Sequence, residues 1–397
     1  YDERICAIAL IKRLFPRIFK PCGTSFPSTS YLAAVPWLAN LKKNKEEKEK
    51  AIAFSIEARK KLKGNEDPML FFQKSEDADL WDFLSLDGTC FFSSTLGNDS
   101  LWDPSTAECR QQLLELQKKF KEEPSPFYAL LLMDGDRLGA LLSEKGEEGK
   151  KAVSEAVKVF SSQVDNTIKS HNGLTVYAGG DDVLALLPLD KALPAAAQLR
   201  GKYMEAFQDF NKPEDTTISA AIVYAHHHAP LKQVIAKAHQ ILDEDAKERS
   251  GRDALAVTVW KTGGAVINWS VPWELKTQDG DLVSIDFQLN KLLLALGNKK
   301  LTNSWIYNIR KVFQEPLGSD FKVPEGIDLQ KLLSAELMRS REIDLSSAQA
   351  EEIVNDLLTL CCYQWRDNKK QVQRDDSKFS LSGALLVKFL VTRGAKM

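Results

Sequence analysis

The sequence predicts an α+β protein built around a ferredoxin-like sheet, with helical regions before and after it. Two observations support this prediction. A continuous apolar run at residues 127–133 stops abruptly at Asp134, as a strand buried on both faces does. Further along the chain, two short apolar segments are separated only by Gly179-Gly180-Asp181-Asp182, which has the length and the residue types of a tight β-hairpin.

The other elements of this region come in a regular order. After the first strand comes a helix whose apolar residues recur every three or four positions from Val153 to Ile168. The sequence then predicts hairpin strands at 174–178 and 183–187, a helix near 193–210, a strand at 218–225, a helix near 231–242 and a strand at 254–260. This order, β-α-β-β-α-β-α-β, extends the ferredoxin-like core and predicts an antiparallel sheet with helices on one face.

The chain divides into three predicted regions. Residues 1–125 are mainly helical, residues 126–265 contain the sheet, and residues 266–397 form a separate helical domain. Within the last region the helical pattern recurs near 287–296, 303–313, 329–339, 347–362 and 381–392.

Composition sets broad limits on function. At 397 residues and 44% hydrophobic, the chain is long enough for two or three folded domains. A formal net charge of -2 gives no general attraction to nucleic acid. The six cysteines have no disulfide-framework spacing, and no apolar run reaches the roughly 18 residues that span a bilayer. We therefore expect a cytoplasmic protein without a membrane partner.

Three carboxylates are predicted to meet at one edge of the sheet. Asp134 ends the first strand, and Asp181 and Asp182 occupy the hairpin turn that should lie beside it. So many negative charges would repel one another strongly without a cation, and oxygen-only ligands favour Mg²⁺ or Mn²⁺. This combination is what metal-dependent phosphoryl transfer from a nucleoside triphosphate requires.

Glycines accompany these carboxylates. Gly179 and Gly180 permit positive φ and leave no side chain between the turn and an incoming phosphate. Gly135 would similarly leave the backbone after Asp134 open to a metal or a nucleotide. These three glycines are therefore candidate nucleotide-binding residues.

Each candidate also has a simpler interpretation. Glycine and aspartate are common turn residues, although turn propensity does not predict an upstream strand that ends in a carboxylate. Asp136 could join the metal ligands by strand alternation, or it could cap the helix or turn after it. Lys247 and Arg252 could reach a triphosphate, or they could offset the dipole at a helix C-terminus that ends at Gly251.

The motifs resemble one known family. The phrases are Met133-Asp134-Gly135-Asp136, Tyr177-Ala178-Gly179-Gly180-Asp181-Asp182 and the segment 246–255. They resemble the large, palm-containing subunit of type III CRISPR effector complexes, in particular the type III-B form. Residues 5–13 are similar to the end of that family's zinc-binding segment, and residues 26–29 are similar to the family's next segment. Residues 266–397 stand where the family has its helical tail.

This resemblance implies a function. The subunit would belong to an RNA-guided antiviral complex and, switched on by target RNA, would convert ATP into cyclic oligoadenylate second messengers. Asp134, Asp181 and Asp182 would hold the metal, and Lys247 would contact the triphosphate. Guide RNA, target RNA and the other subunits of the complex would be the partners.

The chain departs from the family pattern in two respects. The zinc segment of the family has paired CxxC motifs, whereas Cys6 is followed three residues later by Ala9, which argues against Zn²⁺ binding here. The chain has no His-Asp dipeptide and no second palm pattern. We therefore expect a fragment that lacks the N-terminal nuclease and first palm domains of the family.

Three functional hypotheses remain. The leading one is a cyclic oligoadenylate synthetase, in which a ribose hydroxyl attacks an α-phosphate and releases pyrophosphate. A diguanylate cyclase of the GGDEF class shares the hairpin and would use GTP. The third is a catalytically silent scaffold that binds guide and target RNA and other subunits.

Overall fold

A computed structural model describes residues 26–62, 71–144, 146–210, 216–261, 263–311 and 320–393. The chain folds as two compact units, one formed by residues 1–31 and 41–123 and the other by residues 32–40 and 124–397. The predicted zinc-segment remnant around Cys6 lies outside the described residues. Among those residues, no helix is both long and apolar enough to cross a membrane.

The described part of the first unit is helical around a small aromatic core. Phe83 stands at its centre, with ring centroids 5.7 Å from Phe54 and 5.2 Å from Phe91. Such pairs add specific geometry to the burial of a large apolar area. The helices of this unit are α2 (Lys45–Lys61), α3 (Trp81–Leu84), α4 (Ser93–Leu96) and α5 (Ala107–Gln117), and they follow α1 (Thr29–Leu41), of which residues 32–40 belong to the second unit.

The second unit contains the six-stranded sheet, in the order β2-β3-β1-β4-β5-β6. Adjacent strands are antiparallel except β4 and β5, which are parallel and joined through a helix. The strands are β1 (Phe127–Gly135), β2 (Leu174–Gly179), β3 (Asp182–Pro188), β4 (Ile218–His226), β5 (Ala254–Lys261) and β6 (Gly264–Pro272). The α+β, ferredoxin-like prediction is confirmed.

Helices cover both faces of this sheet, whereas the sequence predicted helices on one face. The helices are α6 (Leu138–Glu144), α7 (Glu147–Ser170), α8 (Ala192–Ala206) and α9 (Leu231–Ile241). Phe127, Ala129, Leu131 and Met133 of β1 share a core with α7 and α8. The intervening β1 residues are also buried, and α9 packs on β1, β4 and β5 with residues outside that core. Helix α9 lies on the second face because β4 and β5 are parallel, and the connection between two parallel strands has to cross over the sheet.

The predicted helix near 231–242 continues into a different kind of helix. Leu242–Arg249 is a π-helix, in which hydrogen bonds join residues five apart; the Ser250 N–H donates to the Asp245 carbonyl at 2.9 Å. Gly251 comes next with φ +81°, which ends the helix before β5. π-Helices are rare and occur frequently at functional sites.

Residues 266–397 are not wholly helical in the described part. The predicted boundary at 265 falls inside β6, the edge strand of the sheet. The later helices and the palm-region strands contribute to one continuous core that reaches from Phe127 to Leu390, so burial does not separate them. The remaining elements are β7 (Glu274–Lys276), β8 (Leu282–Ser284), α10 (Ile285–Gly297), α11 (Asn303–Ile309), β9 (Asp320–Lys322), α12 (Leu329–Ser340), α13 (Ser347–Cys361), β10 (Cys362–Arg366), β11 (Val372–Ser380) and α14 (Ser382–Thr392).

Candidate active site

The hairpin between β2 and β3 lies beside the end of β1. Gly179 pairs with Asp182, so the connection is a two-residue turn of Gly180 and Asp181. Of these two, Gly180 has the positive φ, +71°, as a type II′ turn requires. A Cβ at Gly180 would meet nothing closer than Val157 at 3.8 Å, so the space above the turn is open.

Strand register brings Asp134 next to this hairpin. Met133 of β1 pairs with Val183 of β3, and one further step along the two antiparallel strands places Asp134 opposite Asp182. Directly opposed residues have Cβ atoms roughly 4.5–5.5 Å apart. The fold thus makes neighbours of two acidic residues that are far apart in the chain.

The three carboxylates affect one another electrostatically. Partial burial, a hydrogen bond with Asp134 and the charges of Asp134 and Asp181 raise the pKa of Asp182 to about 6. Burial chiefly raises the pKa of Asp181, and the charge of Asp134 raises it further. Like charges at this spacing disfavour ionisation. The structure therefore brings Asp134, Asp181 and Asp182 together in an arrangement with excess negative charge.

Lys247 is the cation that faces this group. Its ammonium forms an ion pair with the Asp134 carboxylate and lies 3.7 Å from the Asp243 carboxylate. The Lys247 side chain is 17% exposed and belongs to the π-helix. Its charge lowers the pKa of Asp181 and Asp182, though less than the other influences raise it.

Gly135 is required by close packing at this edge. A Cβ there would lie 2.5 Å from the Asp181 carboxylate oxygen Oδ2 and 2.7 Å from the Tyr203 hydroxyl. The Gly135 N–H also forms a hydrogen bond that lowers the pKa of Asp181. Gly135 therefore admits the Asp181 carboxylate, a role that the sequence did not predict.

Asp136 belongs to a different environment, and its position argues against a role as a metal ligand. It is 4% exposed. Its carboxylate accepts hydrogen bonds from Thr217 Oγ1 at 2.8 Å, Ser219 Oγ at 2.9 Å and the Asp253 N–H at 3.0 Å. Burial raises the pKa of Asp136, while these donors lower it. With its oxygens engaged by donors from distant segments, Asp136 holds the loop before β5 against β1 and β4.

Arg252 belongs to a cavity whose lining does not include the three carboxylates. It lines this cavity of about 190 Å³ together with Asp136, Arg137 and Arg366. Its φ is +71°, and its N–H donates to the Ala246 carbonyl at the end of the π-helix. This placement separates Arg252 from Lys247, with which the sequence had grouped it.

Asp253 is a structural residue that sequence reasoning missed. Arg200 donates to its two carboxylate oxygens at 2.8 and 3.0 Å, and Arg366 lies 2.6 Å from one of them. All three side chains are at most 18% exposed. The arginines come from α8 and β10, so no local sequence signal indicates this pairing.

The chemistry of the carboxylate group fits a hard divalent cation. Its donors are oxygens only, and burial together with the neighbouring negative charges raises the pKa of Asp181 and Asp182. Within the described ranges, however, no set of three or more His, Cys, Asp or Glu side chains stands ready to hold a metal ion. Lys247 contacts Asp134 directly, so metal binding requires that contact to rearrange.

The sheet and the Gly-Gly-Asp-Asp hairpin define a class, proteins with a palm domain. Residues 127–256 match the family model described as Cas10/Cmr2, second palm domain. Over 188 residues the chain is 32% identical to the CRISPR system Cmr subunit Cmr2 of Pyrococcus furiosus. That alignment covers 40% of this chain and 22% of that protein.

Solved structures extend the likeness in fold. A chain of the type III-B Cmr-beta complex in the apo state has a TM-score of 0.55 at 14% identity. The alignment covers 98% of the present chain and 49% of the Cmr-beta chain. A chain of Cmr-beta bound to cognate target RNA has a TM-score of 0.51 at 15% identity. Here the alignment covers 98% of the present chain and 50% of the other. The chain thus spans about half the length of these structural relatives. The predicted resemblance to the large palm-containing subunit is confirmed.

Proposed function

We propose that this chain is the nucleotidyl-transfer region of a type III CRISPR large subunit that converts ATP into cyclic oligoadenylate. The observation that carries the proposal is the meeting of Asp134, Asp181 and Asp182 at one sheet edge, with Lys247 against Asp134. The palm-family match over these residues supports it. Guide RNA, target RNA and the other effector subunits are the proposed partners.

The residues have separable roles in this proposal. Asp134, Asp181 and Asp182 would hold Mg²⁺ or Mn²⁺, which when bound supplies charge stabilisation at the reacting phosphate and lowers the pKa of the attacking hydroxyl. The open turn at Gly180 would admit the triphosphate, whereas the Tyr177 side chain takes the space beside Gly179. Lys247 would move from Asp134 to the triphosphate, where its charge offsets the developing negative charge. A ribose hydroxyl of one ATP attacks the α-phosphate of another, and pyrophosphate leaves.

The experiment uses the subunit assembled with its partner subunits and guide RNA, given ATP and Mn²⁺ with and without target RNA. We expect cyclic oligoadenylate with target RNA, and a loss of at least about 100-fold in Asp181→Ala/Asp182→Ala because both hairpin carboxylates are removed. The matched control is Asp375→Ala/Asp376→Ala, another adjacent pair, which lies on β11 and should leave product formation unchanged.

The rival functions give different results in the same assay. Product from GTP and none from ATP would indicate a diguanylate cyclase. No product from the complete complex with either nucleotide would support the scaffold. The direct Lys247–Asp134 contact favours that function, because the lysine neutralises the Asp134 carboxylate where a metal ion would otherwise do so.

A further inference from the structure

Tyr203 lies directly behind the carboxylate group. It belongs to α8 and is completely buried. Its hydroxyl lies 2.7 Å from the point where a Cβ of Gly135 would stand, and Asp181 Oδ2 lies 2.5 Å from that same point. The phenol oxygen and the carboxylate oxygen therefore crowd one position, which only a glycine leaves open.

The Tyr203 hydroxyl has no hydrogen-bond partner among the residues that the structure describes. A buried hydroxyl without a partner is unfavourable, because it has given up its bonds to water. The ring cannot turn away to find another partner. Phe160 packs edge-to-face against it at 5.0 Å, and Phe207 packs on it at 4.9 Å.

This group is a hydrogen-bond donor. A tyrosine phenol is protonated at physiological pH even in water, so the Tyr203 hydroxyl has a proton to donate beside the hairpin carboxylates. A carboxylate oxygen is the natural acceptor for that proton.

We propose that Tyr203 is a positioning residue, which donates its hydroxyl hydrogen bond to the Asp181 carboxylate when a divalent cation draws that carboxylate into its binding orientation. The inference rests on the proposed function, since it concerns the same site. Asp181 would then be oriented from two sides, by the Gly135 N–H and by the Tyr203 hydroxyl. Such outer-shell hydrogen bonds orient metal ligands, and their loss typically reduces metal affinity roughly 10–100-fold.

Tyr224 provides a matched control within the same sheet. It is also completely buried, and its hydroxyl also lacks a hydrogen-bond partner among the described residues. On β4, however, Tyr224 pairs with Ala129, whereas Ser219 is the residue that pairs with Asp134. Five residues of strand separate the two positions by roughly 17 Å. A tyrosine-to-phenylalanine change at either position removes one orphan hydroxyl, but only Tyr203 is near the carboxylates.

The test compares Mn²⁺ binding to the full protein, by electron paramagnetic resonance of free Mn²⁺, in wild type, Tyr203→Phe and Tyr224→Phe. We expect Tyr203→Phe to weaken Mn²⁺ binding about 10-fold or more without lowering the Tm. Tyr224→Phe should match wild type in Mn²⁺ affinity.

The other possible outcomes distinguish a failure of the role given to Tyr203 from a failure of the proposed function. Equal Mn²⁺ affinity in wild type and Tyr203→Phe overturns the role of Tyr203 and leaves the proposed function standing. Equal weakening in both variants also overturns it, because the effect would then come from core packing. A wild-type protein that binds no Mn²⁺ overturns the proposed function and this inference together.

Discussion

Asp134 and Asp136 are two residues apart, yet they have opposite environments. The Asp134 side chain is 31% exposed and has two other carboxylates and Lys247 as neighbours. Asp136 is 4% exposed, and three donors from β4 and from the loops before β4 and β5 engage its oxygens. The comparison shows that two nearly adjacent positions of one motif can place one carboxylate among buried hydrogen-bond donors and the other among like charges at a partly exposed edge.

Asp253 extends the structural side of this comparison. Its N–H donates to Asp136, and its carboxylate holds Arg200 and Arg366. The loop after the π-helix is therefore fixed at once to α8, to β10 and to the residue after β1. Among the described residues, no comparable set of donors surrounds Asp134, Asp181 and Asp182, and the charges of the first two add to burial in raising the pKa of Asp182. The structural contacts and the proposed ligand-binding group thus involve adjacent but different carboxylates.

The largest expected effect is from Asp253→Ala. This change leaves two arginines largely buried and without their carboxylate, so we expect the free energy of unfolding to fall by about 3–5 kcal/mol. Urea denaturation measures it. Asp165→Ala, which breaks an exposed pair with Lys169 on α7, is the control and should cost no more than about 0.5 kcal/mol. A similar small loss for Asp253→Ala would show that the buried network does not hold the fold.

The next effect directly contrasts the two neighbouring aspartates. Asp136→Ala removes the acceptor of three buried hydrogen bonds, and we expect a loss of about 2–4 kcal/mol in the free energy of unfolding. Asp134→Ala removes like-charge repulsion as well as one ion pair, so its effect should stay within about 1 kcal/mol. Urea denaturation of both variants, without metal, makes the comparison. Equal losses would contradict the distinction drawn between the two environments.

The smallest expected effect is a dependence of stability on pH. The pKa of Asp182 rises from its ordinary value of 3.8 to about 6 on folding. The unfolded chain ionises first as pH increases, so the free energy of unfolding should fall between pH 3.8 and about 6 and stay lower above that range. Asp182 is largely exposed, and after solvent screening its share is about 1 kcal/mol.

Asp182→Asn tests this pH effect. The variant cannot ionise, so it should gain about 1 kcal/mol in unfolding free energy relative to wild type when pH is raised from about 4 to about 7. Urea denaturation at the two pH values, without divalent metal, provides the measurement. An unchanged difference between variant and wild type would show that Asp182 titrates normally in the folded protein.

The sequence predicted the order of strands and helices along the chain from local signals, and the ferredoxin-like topology that follows from this order predicted the meeting of Asp134 with the hairpin. A buried strand, a two-residue turn and an amphipathic helix each have a periodicity that short segments show. The position of Asp136 could not be predicted in this way. Strand β1 ends at Gly135, so the alternation that would aim Asp136 like Asp134 stops one residue too early.

Other differences had weaker or no local signals. β6 could have been found from the alternation of buried Trp269 and Val271, although its exposed Val266 and its edge position weaken the pattern. The partners of Asp253 come from residues 200 and 366, and only the folded chain brings them together. The division of the sequence into residues 1–125, 126–265 and 266–397 stays a prediction. Buried residues on both sides of 265 belong to one core, so packing does not mark a boundary there.

The π-helix at Leu242–Arg249 has a consequence for how the site tolerates changes in chain length. A π-helix holds one more residue in a turn than an α-helix does. A single deletion early in this segment would let the backbone return to ordinary α-turns while β5 keeps its place. The deletion and the tighter turn would offset each other, so Lys247 would keep its direction toward Asp134. The π-helix therefore holds one residue that the chain can lose without moving this positive charge, and a second deletion would rotate Lys247 by about 100° away from Asp134.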